Sequence, residues 1–148
     1  MQRKKTFALQ SSSEELKPLR ENLRNFLQTA GFTGQTLETI LVAAGEACTN
    51  CIRHSYHGQV GHEIQISVEE KEDKIVLTVR DFGEKINLAR LKPPELPPQQ
   101  GGGLGVYFIQ TIMDEVRYNT AHSKGNELIL VKYKKESGKR REDSNPKK

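Results

Sequence analysis

The stretch from Gln35 to Gly58 constrains this chain more than any other. On a helical wheel at roughly 100° per residue, Leu37, Ile40, Leu41, Ala44, Cys48, Cys51 and Ile52 share one arc. Asn50 and Arg53 fall within roughly 40° of Glu46 on the opposite arc, because positions i+4 and i+7 return to one face. Val42 and Ala43 lie close to that polar line, and Gly45 adjoins Glu46. Such a helix must bury one side in a core. A solvated face normally carries more long charged residues than this one, so the polar line reads as a face covered by a ligand.

Length and charge narrow the rest. The 148 residues, 34% hydrophobic and 28% charged, suffice for one domain with a real core. No apolar run is long enough to span a bilayer. The basic start Met1-Gln2-Arg3-Lys4-Lys5 is followed by no apolar segment of signal-peptide length, so a cytoplasmic location is expected. Residues 134–148 hold seven Lys or Arg against three acids, which accounts for the whole net charge of +4. The basicity belongs to a tail and not to a nucleic-acid groove. The expected organisation is one domain over residues 1–133 and a solvated, disordered tail over 134–148. Cys48 and Cys51 spell Cys-x-x-Cys. They sit mid-helix on the apolar arc with no second ligand pair, so they read as two small core residues.

Taken in order, Thr6-Phe7-Ala8-Leu9 predicts a first strand. The Ser11-Ser12-Ser13-Glu14-Glu15 run starts a helix that carries Leu16, Leu19, Leu23, Phe26 and Leu27 and ends at Gly31. A second helix starts at Thr33-Gly34-Gln35 and ends near Gly58. Ile64, Ile66 and Val68 alternate, as do Ile75, Leu77 and Val79 beyond a polar turn, which predicts an antiparallel hairpin. The same alternation puts Asp81 on the core face. A carboxylate there needs a partner, and Gly83 two residues on marks a turn or a close approach.

Residues 84–102 contain Pro93, Pro94, Pro97 and Pro98 and read as a long binding loop or lid. The loop ends in Gly101-Gly102-Gly103-Leu104-Gly105, and Val106 opens a helix with Ile109, Ile112 and Met113. A glycine-rich run at a helix start suits phosphate, although a hinge would look the same. Glu115–Tyr118 and Leu128–Val131 predict two more strands. The order β, α, α, β, β, α, β, β is α+β: a mixed, mainly antiparallel sheet with helices on one face.

Three signals in this order fit a purine nucleotide with Mg²⁺. Asp81 would accept from an exocyclic amine, Asn50 would be an oxygen ligand for a hard cation, and the glycines would hold phosphates. Glu46 could accept a proton during attack on the γ-phosphate. There is no Gly-Lys-Ser/Thr of a P-loop. Gly101-x-Gly103-x-x-Val106 misses the last glycine of the dinucleotide fingerprint. Asp81-Phe82-Gly83 imitates the magnesium motif of protein kinases, but their His-Arg-Asp loop is absent.

Glu46-x-x-x-Asn50, with Arg53-His54-Ser55-Tyr56 behind it, resembles the N box of the GHKL ATPases, the superfamily of histidine kinases, DNA gyrase, MutL and heat-shock chaperone ATPases. Asp81-x-Gly83-x-x-Ile86 resembles the next box and Gly101 to Gly105 the lid glycines. Within that superfamily the chain most resembles the bacterial anti-sigma factor serine kinases, through Glu46-Ala47-x-Thr49-Asn50-x-x-x-His54-x-Tyr56 and Gly103-Leu104-Gly105-Val106-x-x-Ile109-x-x-x-Met113-Asp114-Glu115-Val116. The resemblance implies a Bergerat-type two-layer α/β sandwich and a protein that binds a sigma factor and phosphorylates a serine of an anti-anti-sigma antagonist. It implies Glu46 as catalytic base, Asn50 as Mg²⁺ ligand and Asp81 as reader of adenine, with Gly83 beside it. ATP phosphates would lie at Gly101, Gly102, Gly103, Leu104, Gly105 and Val106, with Arg53 and His54 as neighbours. It also suggests a homodimer, and no direct contact with nucleic acid or membrane. Many similar proteins carry Gly-Thr before the last strand, where this chain has Gly125-Asn126, whose amide could supply a similar hydrogen bond. The alternative function is a non-catalytic ATP-binding module that sequesters a protein partner.

Overall fold

A computed structural model describes residues 3–86 and 104–134. The expectations for Gly101, Gly102, Gly103, the proline-rich segment and the tail from residue 135 lie outside these residues. Strand β1 (Arg3–Gln10) extends the predicted strand at both ends. A 3-10 turn (Ser13–Glu15), capped by the Ser12 hydroxyl accepting from Glu14 N at 3.3 Å, leads into helix α1 (Leu16–Thr29). Gly31, at φ +102°, lets Phe32 N bond back to Leu27 O at 2.9 Å, which closes the helix in a left-handed cap. Helix α2 covers Gly34–Asn50 and continues as a π-helical turn over Cys51–Ser55. Strands β2 (Glu63–Glu70) and β3 (Lys74–Asp81) form the expected hairpin, followed by helix α3 (Leu104–Ile112), β4 (Glu115–Tyr118) and β5 (Asn126–Tyr133).

The five strands lie in the order β1-β2-β3-β5-β4, and all four pairings are antiparallel. The fold is α+β, with the mainly antiparallel sheet that the patterns predict. Register builds the inner face in rows: Phe7, Ile66, Val79 and Leu128 align across four strands, and Val68, Leu77 and Leu130 align beside them. These side chains are buried against Leu19, Leu23, Leu27, Ile40 and Leu41 of the helices, with Phe7 only partly covered. The last row reads Leu9, Ile64, Asp81, Asn126. Two apolar residues there give way to two polar ones, both buried. Among the described residues no helix is long and apolar enough to cross a membrane.

Candidate functional site

The polar row opens beside the end of α2. Glu46 is half-buried on that helix. Asn50, one turn later, is 7% exposed, and its Nδ2 has no hydrogen-bond partner. A buried orphan of that kind costs about 1–3 kcal/mol and calls for an explanation. Half a turn of the amide exchanges its nitrogen and oxygen, so Asn50 can equally present an acceptor at this point. Ala43 beside the line is buried, and α3 packs along α2. Protein therefore covers part of the face that the wheel assigned to a ligand, while Val42 stays 48% exposed.

The π-helical turn alters the rest of that wheel. Tyr56 N bonds to Cys51 O at 3.0 Å, five residues back instead of four. The wider ring rotates the following side chains out of α-helical phase. Arg53 is exposed and lines a groove of about 470 Å³ with Ser13, Thr49 and Ile52, instead of continuing the line of Glu46 and Asn50. His54 is also exposed; partial burial, then the charges of Arg53 and His57, hold its imidazole below its ordinary pKa. Cys48 and Cys51 are free, buried thiols, as their place on the apolar arc predicts. Burial pushes Cys48 up to about 12 and, with the nearby Asp81 charge, raises Cys51 as well, which leaves both as inert thiols.

The wider turn also aims Ser55 and Tyr56 at the end of β3. Ser55 Oγ donates to Asp81 Oδ2 at 2.9 Å. Gly83 N donates to Asp81 Oδ1 at 3.0 Å, and Asn126 Nδ2 lies 3.1 Å from the same oxygen. Tyr56 stacks on His62 with 4.7 Å between ring centroids. Its hydroxyl donates to Glu63 O at 2.6 Å and accepts from Phe82 N at 2.8 Å, tying the chain on either side of the hairpin together. Asp81 is 1% exposed, yet three donors from three segments hold its carboxylate. A cleft of about 440 Å³ opens on the flank of this junction, bordered by Tyr56, His62, Gly83, Lys85 and Gly125.

The structure thus brings Asp81 and Gly83 against the end of the helix that carries Glu46 and Asn50. It places Leu104, Gly105 and Val106 at the start of α3. Asn126, noted in the sequence where similar proteins have threonine, hydrogen-bonds Asp81 and Ser55 here. Ser55 and Tyr56 join the site without having been singled out for it; their only signal was the Ser55-Tyr56 pair behind the helix motif.

The pattern that defines the histidine kinase-like ATPase domain matches residues 9–132. The chain belongs to the histidine kinase-like ATPases. Among the relatives within that family, the serine-protein kinase RsbW of Listeria innocua is 30% identical over 141 residues, covering 90% of this chain and 88% of its own length. The serine-protein kinase RsbW of Bacillus mycoides is 31% identical over 133 residues, covering 83% and 80%. That of Bacillus subtilis is 32% identical over 124 residues, covering 78% and 76%. The histidine kinase-like match starts within β1 and ends within β5, so it takes in β2, β3 and β4 whole and all of β5 but Tyr133.

Proposed function

We propose that this chain is an ATP-dependent serine kinase of the anti-sigma type, which holds a sigma factor and phosphorylates a serine of an anti-anti-sigma antagonist in the cytoplasm. The observation that carries the reading is the buried Asp81 carboxylate, held in place beside the end of the helix that bears Glu46 and Asn50. A carboxylate fixed in this way suits the exocyclic amine of adenine and repels the carbonyl of guanine. Gly83 has no side chain to keep the base away.

The residues fit ATP with Mg²⁺. Asn50 has a buried amide end without a partner, and a neutral side-chain oxygen suits a hard cation that keeps most of its waters. When bound, Mg²⁺ supplies positive charge to the phosphates. The backbone N–H groups of Gly101 to Gly105, with Val106, would cradle the phosphates where α3 begins. Arg53 and His54, both exposed, would be neighbours of the nucleotide. Glu46 accepts the proton of the incoming serine hydroxyl as its oxygen bonds to the γ-phosphorus and the bond to the ADP oxygen breaks. The likeness to RsbW kinases supports the reaction class, and the resemblance adds a homodimer.

The test is transfer of labelled phosphate to candidate antagonist proteins, beside an ATP-binding titration. Glu46→Gln keeps shape and an acceptor but removes the base, so transfer should fall roughly 10²–10⁴-fold with ATP binding unchanged. Asn50→Ala should lower Mg²⁺-dependent binding and transfer together. Undiminished transfer by Glu46→Gln removes the base assignment. Tight ATP binding by the unmodified chain, without transfer to any tested antagonist, would instead support a non-catalytic module that sequesters its partner.

A further inference from the structure

We propose that Asn126 is a positioning residue of the nucleotide site. Its amide locks the Asp81 carboxylate and the Glu84–Ile86 backbone into one unit and thereby sets the affinity for adenine nucleotides. The proposal rests on the nucleotide reading of Asp81 given above.

Asn126 is the first residue of β5 and pairs with Asp81 across the sheet. The chain comes very close to β3 here. Gly125, at φ +77°, lies where a Cβ would overlap the Asp81 carbonyl oxygen and stand 2.7 Å from Phe82 Cα. The Asn126 side chain is buried at that contact. Its Oδ1 accepts from Ile86 N at 2.8 Å, and its Nδ2 donates to Glu84 O at 2.9 Å. These are the two bonds that one strand residue offers its neighbour in a sheet. The amide therefore ties the backbone at Glu84 and Ile86, three and five residues beyond the end of β3, to the start of β5.

The other amide hydrogen faces Asp81 Oδ1 at 3.1 Å and Ser55 Oγ at 3.0 Å. Ser55 Oγ in turn donates to Asp81 Oδ2. Oδ1 thus takes Gly83 N and Asn126, while Oδ2 takes Ser55 and only a glancing 3.4 Å approach from Asn126. The hydroxyl of a Gly-Thr pair has one hydrogen. It could hold Asp81 or Ser55, but it could not also bracket Glu84 and Ile86.

The experiment compares the full chain with Asn126→Ala, Asn126→Thr and Asn126→Asp. Exchange of the Ile86 amide is followed by NMR without nucleotide, and ATP and ADP binding by calorimetry. Both Ala and Thr should speed Ile86 exchange roughly tenfold or more, because that N–H loses the Asn126 amide oxygen as its acceptor. ATP affinity should fall roughly tenfold in Asn126→Ala, with partial recovery in Asn126→Thr. Asn126→Asp puts a second carboxylate against Asp81, and such a pair cannot ionise fully together. Relative to the unmodified chain at each pH, its ATP affinity should therefore drop as pH rises from about 5 to about 8.

Asn126→Thr keeps a hydrogen-bonding group at the buried point and carries the test if Asn126→Ala does not fold. Unchanged Ile86 exchange in a natively folded Ala or Thr variant overturns the anchoring role. Equal ATP affinity across all variants overturns the role in affinity. No ATP binding by the unmodified chain overturns the nucleotide reading itself, which the exchange experiment reads separately from the anchor.

Discussion

A single absent methyl group shapes the junction beside Asp81. A Cβ on Gly83 would overlap the Ser55 carbonyl oxygen and stand 2.8 Å from Tyr56 Cδ1. The same carbonyl accepts from Glu84 N at 2.9 Å, so it cannot retreat without losing a bond. Gly83 is not among the glycines of positive φ; closeness, not backbone conformation, demands glycine. Gly83→Ala should cost about 1–3 kcal/mol of stability, read as a lower midpoint in urea, with weaker ATP binding alongside. An unchanged midpoint would mean that the π-helical turn yields freely. At this scale the sequence was half legible. Asp81 on a core face announced a need for partners, and Gly83 announced a close approach. Ser55 was not legible as one of those partners, and Asn126 was legible only through the family resemblance, because contacts between residues far apart in the chain depend on register and not on local pattern.

Among the elements, the strands and α1 follow from periodicity, while the end of α2 does not. Nothing in Cys51-Ile52-Arg53-His54-Ser55 marks a change from four-residue to five-residue hydrogen bonding. The bonds of Ser55 and Tyr56 to Asp81, Glu63 and Phe82 exist only in the folded molecule and are satisfied by the wider turn. The far ends of the strands are held by charge. Glu70 on β2 accepts from Lys134 Nζ at 2.8 Å and from Arg3 Nε at 2.8 Å. The Lys134 bond first, and then Arg3, outweigh burial and hold the Glu70 carboxyl below its ordinary pKa. A depressed carboxylate contributes stability above the unfolded value, roughly 4.3, and loses it as pH falls through the folded value. The unmodified chain should exceed Glu70→Gln by up to about 1 kcal/mol near neutral pH. That gap should close well below the unfolded value. Urea unfolding at both pH values checks this, and a gap that persists in acid would assign the effect to packing.

For the whole molecule, the working unit is the sheet with its helices. Lys134, just past β5, still bonds to Glu70 and through its N–H to Asp73 O at 2.9 Å. The 14 residues beyond it hold no large apolar side chain and so have little to bury. Ending the chain after Lys134 should leave the melting temperature and ATP binding nearly unchanged. A drop of several degrees in calorimetry would show that the basic segment docks on the domain.

The sequence by itself determined which residues are helix, which are strand, which side of each is core, and which side chains are candidates for chemistry. These are local properties: a period of two or of 3.6 names a face, and a motif names its own residues. Tertiary structure alone decided which strands are neighbours, placing β5 between β3 and β4. It decided that α3 would pack along α2, and that Arg53 would leave the line of Glu46 and Asn50. It also made Asn126 the partner of Asp81. The physical reason is common to all of these. A hydrogen bond or a close approach between distant segments has no energy until the sheet register brings the atoms together, and that register follows from burying all the apolar faces at once.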